Sequence, residues 1–87
     1  MEPMTHRITK DEVFEVVKRN ILEILPDVAA DIVSMDKSLV DLGANSVDRM
    51  EVVTLSMEAL DLKIPLMSFA KVDNIEGLVA VLLEHAR

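Results

Sequence analysis

The chain predicts an all-α fold, a small antiparallel four-helix bundle in which three main helices and one short third helix are joined by a long loop between the first and second. Three observations carry that expectation. Apolar residues recur at three- and four-residue spacing in three separate stretches. The composition is 51% hydrophobic but only 2% aromatic, so the core has to be built from Val, Leu, Ile and Met, side chains that pack adaptably between helices. The β-favouring pairs Val16-Val17 and Val52-Val53 are short and fall inside helical stripes, where tertiary context overrides their propensity. A chain of 87 residues makes one domain, residues 1–87, able to bury roughly 60–65% of the surface its unfolded form exposes. Residues 1–7 contain Pro3 and no periodicity and read as a flexible tail.

The first helix carries its own start signal. Thr9 and Glu12 have the spacing of a capping box, and Ile8 and Val13 flank it at the positions of a hydrophobic staple. Val13, Val16, Val17, Ile21, Ile24 and Leu25 form an apolar face, with Lys18, Arg19 and Glu23 opposite, and Pro26 stops the helix. A connection of about eighteen residues, Pro26 to Gly43, follows, and a loop of that length in a compact domain is functional or pinned. Val28, Ile32, Val33, Leu39 and Leu42 are its expected anchors, and Ser38 to Gly43 has the makings of a short turn.

The second helix is expected from Ser46 to about Leu60. Asn45 is a good N-cap, and Asp48 places an acid where a helix start favours one. Met50, Val53, Met57 and Leu60 give a core stripe, while Val47, Asp48, Glu51, Thr54 and Glu58 fall on the other side. Ile64 is expected to be buried, Pro65 forbids further helix, and Ser68 to Lys71 fits one short turn. The last helix begins at Asp73, with Glu76 three residues on, and presents Ile75, Leu78, Val79 and Leu82. Gly77 costs it about 1 kcal/mol of propensity, which close packing at that position would explain.

The stretch Asp41-Leu42-Gly43-Ala44-Asn45-Ser46-Val47 places a serine hydroxyl at the first turn of a helix, directly after a glycine-containing loop. It resembles the attachment-site motif of acyl carrier proteins, aspartate-leucine-glycine-x-aspartate-serine-leucine. Asn45 stands in place of the usual aspartate and Val47 in place of the usual leucine. The likeness runs from roughly Ile8 to Leu83 and includes the long first loop and the Ile64-Pro65 step. It implies that Ser46 carries 4′-phosphopantetheine, installed by a phosphopantetheinyl transferase. The resemblance also implies that Asp41, Leu42, Gly43 and Asn45 support the motif and that the second helix is the docking face, through Val47, Asp48, Glu51, Thr54 and Glu58, with Arg49 on its flank sharpening partner choice. A phosphodiester at Ser46 would lie beside the free N–H groups and positive end of that helix. Asn45 keeps the capping oxygen while removing a charge beside the phosphate.

The form Gly43-Ala44-Asn45-Ser46-Val47-Asp48-Arg49 is closer to polyketide-type carriers than to the fatty-acid carrier. It resembles the freestanding donor carriers of β-branching cassettes, which hold malonyl and then acetyl groups. That resemblance implies an acyltransferase, a ketosynthase-like decarboxylase and a hydroxymethylglutaryl-synthase-like enzyme as partners. A fatty-acid-synthesis carrier is the alternative within the family, and a non-catalytic helical adaptor is the alternative outside it.

Other chemistry is excluded by what is missing. A net charge of −7 and a pI of about 4.6 disfavour nucleic acid and anionic membranes, which need a basic face. No apolar run exceeds Leu78 to Leu83, too short to span a bilayer, and no signal core precedes it, so a cytoplasmic monomer is expected. There is no cysteine, hence no disulfide or thiolate metal site. Asp27, Asp31 and Asp36 lack the spacing of a calcium loop, and Met50 and Met57 read as core residues, so no metal is expected. His6 and His85 lie at opposite ends of the chain, and Ser46 is not in a G-x-S-x-G elbow. Without a base within reach, the serine is not a catalytic nucleophile.

Overall fold

A computed structural model describes residues 7–86. Among them there are three α-helices, α1 (Lys10–Ile24), α2 (Ser46–Ala59) and α3 (Ile75–Ala86), two 3₁₀ turns, Ala30–Ile32 and Leu66–Phe69, and no strand. Residues 1–6, which include His6 and most of the expected tail, lie outside the described residues.

The start of α1 is the one its sequence specifies. Thr9 Oγ1 accepts from the Glu12 N–H at 3.2 Å, and Glu12 Oε1 accepts from the Thr9 N–H at 2.8 Å, so two of the helix's orphan donors are satisfied reciprocally. Ile8 packs against the core into which Val13 is fully buried. Helix α1 packs against both α2 and α3, and the core is drawn from all three. Val13, Val17 and Ile21 come from α1, Val52 from α2, and Ile75, Leu78, Val79 and Leu82 from α3; Val33 and Ile64 close it from the connections. Phe14 and Leu22 also pack against it, outside the expected α1 stripe.

The buried seam of α2 differs from the expected stripe. Val52 and Ser56 are fully buried, Val53, Met57 and Leu60 are partly buried, and Met50 is 49% exposed. Period counting places Met50 in the core because it sees only polarity. Here the hydroxyl of Ser56 accepts a 3.1 Å hydrogen bond from Asn20 Nδ2, itself buried on α1. A polar pair that satisfies itself can occupy the seam between two helices, and that rotates Met50 outward.

The long connection is pinned, by more than its side chains. Val33 is buried, and Val28, Leu39 and Leu42 pack partly against the core, together with Met35. Ile32 ends the first 3₁₀ turn and is 48% exposed, so it is not an anchor. The carbonyls of Lys37 and Met35 accept from the N–H groups of Ile75 and Glu76, at 2.8 and 2.9 Å. The loop therefore supplies acceptors to donors in the first turn of α3 that have no partner within the helix. The N-cap of α3 is Asn74, not Asp73: its Oδ1 accepts from the Gly77 N–H at 2.8 Å and its carbonyl from Leu78. The short third element starts directly after Pro65 and ends at Phe69, earlier than Ser68–Lys71.

Candidate functional site

The loop delivers the chain to α2 through two linked turns. Ser38 and Asp41 cap each other: the Ser38 N–H donates to Asp41 Oδ2 at 3.1 Å, and the Asp41 N–H to Ser38 Oγ at 2.9 Å. The Ser38 backbone N–H, and after it the Ser38 hydroxyl, bond to the Asp41 carboxyl and hold it below its ordinary pKa, since both stabilise the ionised form. Leu42 is partly buried beneath this turn, and Ala44 is buried with its N–H bonded to the Leu39 carbonyl. Gly43 has φ +95°. A Cβ there would meet nothing within 4 Å, so glycine is required by backbone conformation and not by crowding.

Asn45 then caps α2. Its Oδ1 accepts from the Asp48 N–H at 2.8 Å, and Asp48 Oδ2 accepts from the Asn45 N–H at 3.2 Å. The box closes with amide and carboxylate, and Asp48 is half-buried in it. Ser46 is the first helical residue and is exposed. Its N–H and that of Val47 have no partner among the described residues; first-turn donors cannot be satisfied within the helix. Arg49, one turn on, extends Nη2 to 3.4 Å from Ser46 Oγ. A serine hydroxyl with free donors and a guanidinium around it fits a phosphodiester.

Around this point the other expected residues divide into two sides. Val47 is 66% exposed, and Glu51, Thr54 and Glu58 are exposed with it. Met50 joins this outward face, an apolar member that sequence periodicity assigned to the core. Arg49 lies on the other side, where it lines a groove of about 380 Å³ with Leu39, Val53, Phe69, Val72 and Leu78. Helical period alone separates Val47 from Arg49 by two residues and hence by about 200°, but only the folded loop and 3₁₀ turn create the groove.

His85 is exposed, its Nδ1 3.0 Å from the Val81 carbonyl. Among the described residues no group of three or more His, Asp or Glu is placed to hold a metal, and no helix is long and apolar enough to cross a membrane.

Residues 15–82 match the family described as the phosphopantetheine attachment site. The chain is 43% identical over 78 residues to a protein of Bacillus subtilis (strain 168) named polyketide biosynthesis acyl-carrier-protein AcpK, covering 90% of this chain and 95% of that one. No solved structure matches the chain.

Proposed function

We propose, because this chain belongs to the phosphopantetheine attachment-site family and is a carrier rather than an enzyme, that its arm stands on Ser46 and that its cargo serves polyketide biosynthesis. The observation that carries the site is the exposed Ser46 hydroxyl at the first position of α2, beside two N–H groups that have no partner among the described residues. The arm's terminal thiol supplies the thioester chemistry. The chain's own residues do the rest: Gly43 and the Ser38–Asp41 turn present the serine, Asn45 fixes the helix start, and the donors of Ser46 and Val47 meet negative charge.

Phosphopantetheinyl transferase and acyl-handling enzymes are the partner classes that follow from the family. The more specific reading is a donor of malonyl-derived acetyl groups for β-branching, working with an acyltransferase, a ketosynthase-like decarboxylase and a hydroxymethylglutaryl-synthase-like enzyme. The likeness to a polyketide-biosynthesis carrier and the Ala44-Asn45-Ser46-Val47 site support it over fatty-acid synthesis. Val47, Glu51, Thr54 and Glu58, with Met50, form the face that such partners would meet; Asp48 contributes its charge while capping, and Arg49 marks the flank.

Intact mass after incubation with coenzyme A and a broad-specificity transferase tests the site. One arm is expected on the wild type and none on Ser46→Ala, and an arm on Ser46→Ala refutes the assignment. Malonyl-loaded protein is then offered to a β-branching set and to fatty-acid enzymes. Faster acetyl delivery to the latter refutes the pathway while leaving the site intact.

A further inference from the structure

The geometry points to Arg49 as the residue that binds the phosphodiester of the arm, rooting it on the groove side of α2. The inference rests on Ser46 being the attachment residue. Three observations carry it. The guanidinium Nη2 lies 3.4 Å from Ser46 Oγ, the atom that would bond to phosphorus, so the non-bridging oxygens would form next to a planar donor suited to phosphate. Arg49 pairs with no carboxylate among the described residues; the hydroxyl contact is the interaction it makes. Its nearest acidic neighbour in sequence, Asp48, has its carboxylate turned to the Asn45 N–H.

The residue before the serine completes the argument. Asn45 caps α2 as a carboxylate would but brings no negative charge, so it neither competes for Arg49 nor repels a phosphate. Cap and cation are thus compatible in one turn. Arg49 also lines the groove formed with Leu39, Val53, Phe69, Val72 and Leu78, whereas Val47 and Met50 are exposed on the face that Glu51 and Thr54 share. A phosphodiester held by Arg49 therefore starts the arm toward the groove and away from the Val47–Thr54 face. Arg49 is exposed, so salt and a partner's surface can release that hold.

The experiment uses fully loaded protein, with loading verified by intact mass. The ³¹P resonance of the phosphodiester is compared between folded protein and the same protein in concentrated urea. In the wild type a folded-minus-unfolded shift is expected. Arg49→Gln should lose at least half of it, while Arg49→Lys, a point charge without the planar fork, should retain an intermediate part. Circular dichroism of the unloaded variants checks that the fold is kept. Independently of any variant, loading is expected to move the Arg49 Nε–H resonance more than that of Arg19, an exposed arginine on α1. A ³¹P shift equal in wild type and Arg49→Gln, or an Arg49 Nε–H unmoved by loading, overturns the inference. An arm found on Ser46→Ala overturns this inference and the site assignment together, and it is seen by mass before any resonance is recorded.

Discussion

At the scale of single residues, the buried pair Asn20 and Ser56 shows how a polar contact can sit in a hydrophobic seam. The amide donates to the hydroxyl at 3.1 Å between α1 and α2, and no buried side-chain polar atom is left without a partner among the described residues. Ser56→Ala removes the acceptor and leaves a buried N–H unpaired, expected to cost about 1–3 kcal/mol. The double change Asn20→Leu with Ser56→Ala replaces both partners by apolar groups and should recover most of that loss. Urea unfolding of the two single variants and the double reads the coupling; an additive result would mean the pair is not coupled. Asp41 supplies a prediction of a different kind. Its folded pKa lies below the ordinary 3.8, because Ser38 bonds to the ionised form. A depressed carboxyl contributes stability above its unfolded pKa, and that contribution is lost as pH falls through the folded one. The thermal midpoint of the wild type should therefore fall on acidification below about pH 3.8, the ordinary value. The isosteric Asp41→Asn should be less stable than wild type near neutrality and converge on it in that acid range. A gap that stays constant with pH removes the linkage.

Secondary-structure elements were legible where their determinants are local, and obscure where a backbone atom or a tertiary partner decides. The Thr9–Glu12 box and the Asn45 cap are written in side chains a few positions apart, so both helix starts follow from the letters. The outward turn of Met50 does not, because it depends on Asn20 meeting Ser56 across the seam. Nor does the docking of the long loop onto α3, made by the carbonyls of Lys37 and Met35, which every residue possesses. The end of α2 has the same character. The Leu62 N–H bonds to the Met57 carbonyl at 2.8 Å and the Asp61 N–H to that of Glu58 at 3.1 Å, a Schellman stop with Asp61 at φ +57° where glycine is usual. Asp61→Gly is expected to stabilise by about 0.5–1 kcal/mol by relieving the left-handed conformation. Gly43→Ala, at a position of the same φ sign, should destabilise by about 1–2 kcal/mol despite open space around it. Gly77 separates propensity from crowding. An added Cβ would approach Asn74 Oδ1 at 3.4 Å and Val72 Cγ1 at 3.5 Å, ordinary contacts, so close packing does not demand glycine there. Gly77→Ala should therefore gain about 0.5–1 kcal/mol; thermal midpoints of the three variants decide, and a loss for Gly77→Ala would restore the packing explanation.

For the whole molecule the deciding quantity is charge laid over an apolar patch. The chain carries −7 overall, and Val47 and Met50 are exposed at 66% and 49% beside Glu51 and Thr54. The two contributions act at different stages of an encounter. Long-range attraction to a basic partner speeds association and is screened by salt, whereas apolar contact is made only after docking and is insensitive to it. Glu51→Lys reverses a charge on the rim and is expected to lower the rate of acyl transfer to an acyl-handling partner enzyme about tenfold, on the order of 1.4 kcal/mol, at low ionic strength. Its deficit should shrink as salt rises. Val47→Asp leaves the field acidic but wets the contact, so its deficit should be of similar size and persist in high salt. Met50→Asp should behave like Val47→Asp if Met50 belongs to the docking face; had it been a core residue, the same change would lower the thermal midpoint severely. Transfer rates from fully loaded variants at several salt concentrations, with circular dichroism as the control for folding, separate these cases. Unchanged rates for all three would move the docking surface off α2, toward the long loop that precedes it.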